Sequence, residues 1–401
     1  MNTLAPARPT AAARRSRTAL LAQWTLACSA VWALLTVLPL HLTQNRHVGV
    51  GAAAALVTEA ALSLRLMRIV AGPALARLSP AAAIRCALLL GGASFVGLAL
   101  CDGHPVALAV VLPLIGLGFG MNALALKLIA TAAPPTEHAT GFAAQAVAVN
   151  VGMALGPLAG VAVYHAYGVT AFFLAAALAH AAALFLVLAV RSPGADEAGT
   201  TMPLRTLLPV LVRDRGLRVP LALTAAGFVL YTQLFATLPL YVSDGLGRTG
   251  LLGTVFLANG ALIVVLQMPL MMLVKRWRLS PVPVSLAGFG CFAAAFGCLG
   301  AGRDVVWLFI GVVLATFAEM LLMPSLDVLI GSAGPPDRRV AYFSLAALAT
   351  ALGEAVGSFT GVSLAGTHAS GATALYLGLA AASGALVVAA GVRRAATKAW
   401  R

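Results

Sequence analysis

Polar and Pro/Gly punctuation cuts this chain into twelve apolar runs, each about the length a bilayer requires. Their approximate limits are 19–43, 48–76, 81–101, 105–132, 140–165 and 168–190, then 219–243, 250–274, 282–302, 304–332, 339–366 and 370–392. About 20 consecutive apolar residues span a hydrocarbon core as a helix. Within that core every backbone donor and acceptor must find a partner in the chain itself, so runs of this length have the helix as their solution. Charged residues are 9% of the chain and hydrophobic ones 61%, against roughly 25% and 45–50% in soluble domains. The fold class is therefore all-α integral membrane.

Lysine and arginine set the orientation. With the N-terminus inside the cell, 21 of the 26 lie on the cytoplasmic side. Only Arg46, Arg248 and Arg303 fall outside, while Arg65 and Arg68 lie within the second run. Both termini are expected in the cytoplasm, with the protein in a cell inner (plasma) membrane. The net charge of +14 belongs to this asymmetry; no basic, aromatic-interleaved patch accompanies it, so nucleic acid is not an expected partner. Arg8, Arg14, Arg15 and Arg17 precede a first run too long for a secretory h-region, without a convincing cleavage site, which reads as an uncleaved span behind a basic tail.

Gly152, Gly156 and Gly160 recur at every fourth position around Pro157. On a helix they make one smooth stripe against which a neighbour can pack closely, and the proline bends the helix beside it. Gly353, Gly357 and Gly361 repeat the stripe 201 residues later. Pro134-Pro135 returns as Pro335-Pro336 at the same offset, and Leu38-Pro39-Leu40 as Leu238-Pro239-Leu240 at 200. The chain thus reads as two parallel halves, a plan that in transporters puts the substrate site at the repeat interface. The expected organisation is a basic tail (1–18), a six-helix bundle (19–190), a cytoplasmic linker (191–218), a second six-helix bundle (219–392) and a basic tail (393–401). In the linker Leu204, Leu207, Leu208, Leu211 and Val212 interleave with Arg205, Arg213, Arg215 and Arg218, as in a short amphipathic helix lying on the anionic inner leaflet.

Gly152 to Gly160 resembles the G-x-x-x-G-P-x-x-G signature of the fifth helix in exporters of the major facilitator superfamily, and the chain as a whole resembles the twelve-helix drug/proton antiporter (multidrug efflux) group of that superfamily. Glu319-Met320-Leu321-Leu322-Met323-Pro324 is similar to a G-E-x-x-x-x-P pattern in the tenth helix of some exporters, with Ala318 replacing the glycine. The superfamily's loop between helices 2 and 3 usually carries an aspartate before its arginine; Gly72-Pro73-Ala74-Leu75-Ala76-Arg77 has Ala76 there, which puts that charge latch, not the fold, in doubt. The resemblance implies two pseudo-symmetric six-helix bundles, a central cavity lined by helices 1, 4, 7 and 10, and helix 2 beside helix 11.

Ionisable side chains at bilayer depth cost roughly 2.5–3.5 kcal/mol each on insertion scales, so each needs a reason. The candidate proton-coupling carboxylates are Glu319, Glu354, Glu59 and Asp327, with Arg65 and Arg68 as charge partners at i and i+3. Glu319 follows Asp304 by 15 residues, which sets it roughly 22 Å down a helix from the outer end. Given the implied cavity, Glu319 is the cavity carboxylate and Glu354 a partner for Arg65 or Arg68, the latter also readable as a structural interhelical pair. Asp327 lies toward the cytoplasmic end, within reach of Arg338 or Arg339. Glu59 reads either as an outer-interface residue or as a gate. Asn122, Gln145, Asn150, Tyr231, Gln233 and Phe235 are the candidate cavity lining, although such polar residues also serve as interhelical glue.

Five cysteines form no CxxC, seven histidines have no ligand spacing, and the chain has no G-x-S-x-G, H-E-x-x-H or P-loop. No metal, cofactor or enzymatic activity is expected, and an ion gradient must supply the power. The expected function is proton-coupled export of a small amphipathic compound by alternating access, with small molecule, protons and bilayer as partners of a monomer. Uptake of a metabolite shares the same fold and is the alternative, followed by a non-transporting membrane receptor.

Overall fold

The computed structural model of the protein describes residues 11–44, 50–75, 78–101, 104–190, 209–210, 214–248, 251–365 and 371–399. Most of the expected amphipathic linker helix, together with Ala76, Arg77 and Arg46, lies outside the described residues. Eleven helices of at least 21 residues make up the rest. They are α1 (Ala11–Gln44), α2 (Val50–Leu75), α3 (Pro80–Leu100), α4 (Pro105–Ala132), α5 (His138–Val187), α6 (Arg215–Ala236), α7 (Leu252–Arg276), α8 (Pro281–Ala301), α9 (Val305–Gly331), α10 (Arg339–Ala365) and α11 (Gly371–Ala399). Among the described residues ten helices are long and apolar enough to cross a membrane; α2, with Glu59, Arg65 and Arg68 in its middle, is the exception.

Boundaries follow local chemistry. Ser79 caps α3 through Ala82 N at 3.3 Å with Pro80 in the first turn, where a missing N–H costs nothing. Ser280-Pro281 opens α8 with the proline again in the first turn but without a side-chain cap. Asp304 caps α9 by accepting from Val306 N and Trp307 N at 2.9 and 3.0 Å. Pro135–Glu137 and Pro336–Arg338 each form a 3₁₀ turn ahead of a long helix, so the repeated Pro-Pro signal has one structural meaning in both halves. The helix α1 starts at Ala11, earlier than the expected span, because Ala and Arg are strong helix formers and carry the helix into the basic tail.

Two differences from the expected runs have a backbone cause. Runs 140–165 and 168–190 form one 50-residue element, α5, interrupted at Gly168 with φ 83° and ψ −179°. A methyl group there would meet nothing within 4 Å, so glycine is needed for the left-handed φ rather than for space. After α6 the chain makes a single turn at Leu238–Leu240 and a π turn at Tyr241–Gly245, whereas Pro39 sits inside α1. Tyr241 anchors that turn by donating to Gly302 O at 2.7 Å.

Two compact units divide the chain: residues 1–132 with 151–201, and residues 133–150 with 202–401. In the first, Leu34, Leu38, Phe95, Leu98, Phe172 and Phe173 form the centre of the core. In the second, Phe292, Phe296 and Tyr376 stack with centroids 5.7 Å apart. Outward-facing residues are apolar as well: Leu100 is 83% exposed, Phe185 75% and Leu158 72%. A surface built of such side chains has hydrocarbon, not water, as its solvent.

The glycine stripes hold each unit's helices together. A methyl group on Gly152 would fall 2.6 Å from Cys28 Cβ and 3.0 Å from Thr25 O, one on Gly156 would collide with Ser29 O, and one on Gly160 would fall 2.6 Å from Ala33 Cβ. In the second unit, methyl groups on Gly353 and Gly361 would collide with Ala225 O and Gln233 Oε1, and one on Gly357 would fall 2.7 Å from Val229 O. Positions 25, 29 and 33 correspond to 225, 229 and 233 at the 200-residue offset. The α1–α5 contact is therefore made again as α6–α10. Gly156→Val should force these backbones apart and destabilise the protein by about 1–3 kcal/mol or more. Gly97→Ala, where a methyl group meets nothing within 4 Å, should be neutral or stabilising by up to about 1 kcal/mol. Thermal unfolding of purified variants in detergent distinguishes the two; equal losses would remove close packing as the stripe's role.

Candidate functional site

Glu319 sits near the middle of α9, and two other helices of the same unit reach its carboxyl group. The side chains of Asn259 of α7 and Tyr231 of α6 approach it. Asn259 Nδ2 donates to Thr316 Oγ1 at 2.9 Å, and Thr316 in turn donates to Val312 O at 2.7 Å. Thr316 precedes Glu319 by three residues on α9, so this chain fixes the face of α9 from which the carboxyl group projects. Farther along, buried Gln267 of α7 donates to Met320 O at 3.0 Å and fastens the same helix pair. Among the described residues, Glu319 Oε2 is buried and has no hydrogen-bond partner.

The side of α6 next to Glu319 is aromatic. Phe228 and Tyr231 meet edge to face at 5.7 Å, Tyr231 and Phe235 at 5.2 Å, and Phe235 stacks on Phe256 of α7 at 5.8 Å. Tyr231 and Phe235 are two of the candidate lining residues, and Asn259 of α7 joins them here. Their convergence on Glu319 has no sequence signal, because Tyr231 and Asn259 lie 88 and 60 residues before it.

The remaining candidates divide by unit. In the first, the Arg68 guanidinium lies 5.6 Å over the Phe119 ring, which stacks on Trp24 at 4.9 Å. Beside them Gln23 and Asn122, both buried, exchange two hydrogen bonds at 3.2 and 3.0 Å. Arg65 is on the same helix as Arg68. Glu59 is half-buried and faces an open groove along α2 together with Leu62, Leu66 and Pro113 of α4. In the second unit Glu354 is buried on α10, next to Gly353, whose α-carbon faces Ala225 and Phe228. Gln233 donates to Val229 O at 2.8 Å and to Gly357 O at 2.9 Å, so its amide ties α6 to α10. Asn150 donates back to Ala146 O at 3.0 Å within α5, and Gln145 is half-buried. Asp327 is half-buried on α9.

At the end of the second unit that carries the Pro-Pro turn, a polar knot appears that sequence reasoning missed. Asp214 begins α6 but makes no side-chain cap there. Its carboxylate accepts from Arg338 Nη1 at 2.9 and 3.1 Å and from Tyr342 OH at 2.7 Å. The start of α6 is thereby tied to the turn before α10. Arg339 follows with Nε 3.3 Å from Gly331 O at the end of α9. In the first unit Arg85 of α3 donates to Val187 O, Leu188 O and Val190 O at 3.3, 3.1 and 2.7 Å, satisfying carbonyls that the end of α5 leaves open.

A multi-pass helical membrane protein that builds the same glycine-sealed helix pair twice, and keeps a carboxyl group inside one bundle, has the architecture of a secondary transporter. The chain belongs to the Major Facilitator Superfamily, whose sequence profile matches residues 24–358. It is a membrane transporter and not an enzyme. It is 26% identical over 274 residues to the uncharacterized MFS-type transporter YttB of Bacillus subtilis (strain 168), covering 67% of this chain and 68% of that one. Among solved structures it resembles the human organic anion transporter MFSD10 (TETRAN), with a TM-score of 0.75 at 18% identity over 94% of this chain and all of the other. The transporter FucP in its outward conformation follows with a TM-score of 0.72 at 17% identity, over 94% and 98%. At these identities the solved structures establish the fold.

The Tyr342 hydrogen bond, and after it the Arg338 guanidinium, hold the Asp214 carboxyl below the usual carboxylate range. A depressed native value means that the knot stabilises the fold at pH values above the unfolded carboxylate's, near 4, and that this contribution fades as acid protonates the native group. Tyr342→Phe should cost about 1.5 kcal/mol at neutral pH. Asp214→Asn should lose the acid-sensitive part of wild-type stability, so that the two unfolding curves converge on acidification. Curves that stay parallel down to pH 3 would show that the knot carries no charge-dependent stability.

Proposed function

We propose that the protein exports a small amphipathic compound from the cytoplasm across the inner (plasma) membrane by alternating access, in exchange for protons that enter through Glu319. The observation that carries this reading is the buried, unsatisfied Oε2 of Glu319. An oxygen in that position is costly as a bare anion and tolerable once protonated or set against a cation. A group that must be neutralised by one of two occupants couples their movements, because each displaces the other.

On this reading the two limbs of α5 on either side of Gly168 are separate crossings. Fifty residues of continuous helix would measure roughly 75 Å, more than twice a hydrocarbon core. Twelve spans result, with both termini in the cytoplasm, where the lysine and arginine excess belongs. The glycine-proline stripe of α5 supports export, since it resembles the exporter signature. The close α1–α5 and α6–α10 contacts supply stiff pairs that can rock as units. The monomer is the working form.

In inverted membrane vesicles, export should appear as uptake that stops when the pH gradient is collapsed. Glu319→Gln should keep expression and elution as a folded species while gradient-driven transport drops at least about tenfold. Transport in that variant at the wild-type rate would remove Glu319 from the mechanism, and wild-type movement indifferent to the gradient would remove proton coupling.

A further inference from the structure

The turn between α7 and α8 has a counterpart in the first half of the chain. Arg77-Leu78-Ser79-Pro80 returns 201 residues later as Arg278-Leu279-Ser280-Pro281. Ahead of the first copy stand Ala74, Leu75 and Ala76; ahead of the second stand Lys275, Arg276 and Trp277. The backbone of the second copy adds a further peculiarity. Arg278 N donates to Lys275 O at 3.0 Å and Leu279 N to Val274 O at 3.1 Å. These two bonds close α7 with the wrap that usually places glycine at its left-handed position. Here that position is held by Arg278, at φ 52°, the only non-glycine residue with positive φ among the described residues. Glycine would close the helix with less strain, so stability does not explain the arginine.

The cations of this turn are not used inside the protein. Arg338 is committed to Asp214, Arg85 to the carbonyls that end α5, and Arg339 to Gly331 O. Lys275, Arg276 and Arg278 are exposed and make no ion pair among the described residues. The sequence holds no Asp or Glu between Asp244 and Asp304. Apolar side chains turn outward beside the charges: Trp277 is 63% exposed and Leu279 45%. The apolar length of α7 from Leu252 to Val274 measures roughly 34 Å, enough to cross a hydrocarbon core and set Trp277 at headgroup level. We infer that this turn is a docking site for an anionic phospholipid. Its phosphate lies among Lys275, Arg276 and Arg278, and its acyl chains run along Trp277 and Leu279. Juxtamembrane cations attract anionic lipid, and an indole at the same level adds contact with the chains. Lys275 and Arg276 also suit the negative end of the α7 dipole. That dipole accounts for neither Arg278, which lies beyond the helix, nor the uncharged Trp277. A water-soluble phosphate would use the cations and leave the outward indole and leucine without a role.

Quenching of tryptophan by brominated acyl chains reads this contact. The full-length protein and its Trp277→Phe variant would be reconstituted in phosphatidylcholine vesicles. Each vesicle set carries, at equal mole fraction, either brominated phosphatidylglycerol or brominated phosphatidylcholine. The Trp277 emission, taken as the difference between the two proteins, should be quenched more by the anionic lipid, with a preference of roughly tenfold or more. Arg278→Gly should cut that preference by about threefold or more, while its Tm in detergent stays level or rises, because glycine suits the left-handed position. Arg215→Gln removes one exposed charge from the start of α6 and should change the preference less. Equal quenching by the two lipids would reduce Trp277 to an interfacial anchor and overturn the inference. A preference in Arg278→Gly no lower than in Arg215→Gln would overturn it too, since any surface charge would then serve. Displacement of phosphatidylglycerol by inorganic phosphate at matched ionic strength would assign the cations to a soluble anion instead. A fall in Tm of Arg278→Gly with unchanged lipid preference would give the arginine to the fold and defeat the proposal.

Discussion

Close approach of helix backbones is the constraint on which the rest of this structure depends. In hydrocarbon, an apolar side chain gains little by leaving lipid for protein, so helices hold together through contact area and through the few polar groups they share. Glycine at every fourth position removes the side chains that would keep two helices apart. Gly156 against Ser29 and Gly357 against Val229 bring backbone within van der Waals contact of backbone. The contact occurs twice, with the glycines repeating after 201 residues and their partner positions after 200, so each unit contains the same closely packed pair.

Most buried polar side chains of the spans close on a neighbour, and Glu319 is one of the few with a buried atom left over. Gln23 and Asn122 consume each other's hydrogen bonds, Gln233 satisfies α6 and α10, Gln267 satisfies Met320 O, and the serines and threonines of the spans return to carbonyls one turn back. Each of these is closed and serves cohesion. Glu319 is approached on one side by Asn259 and Tyr231 and left open at Oε2. On the proposed reading this open oxygen is the exchange group, since a charge inside a membrane is costly.

The Asp214–Arg338–Tyr342 knot uses the same chemistry in a wetter setting. An aspartate at a helix start usually caps its own helix. Here the carboxylate is spent on a turn and a helix more than 120 residues away in sequence, which fixes where α6 begins relative to α10. The glycine stripe and the knot thus secure the α6–α10 pair at two levels, one by shape and one by charge.

Much of this was legible in the chain because it is one-dimensional. Apolar run length sets where helices cross, four-residue glycine spacing sets which face packs closely, and the 201-residue echo sets the duplication. A glutamate in an apolar run announces itself for the same reason, as Glu319 did. Gly168 was harder, since a two-residue gap between apolar runs does not say whether the helix stops or merely breaks. What the tertiary structure alone decided is which polar groups belong to one another. Asn122 and Gln233 look like cavity lining in sequence and are occupied by neighbouring helices in space, while Tyr231 and Asn259 converge on Glu319 from separate helices. Hydrogen bonds depend on ångströms between atoms that the chain brings together only on folding, and no spacing along the sequence encodes them.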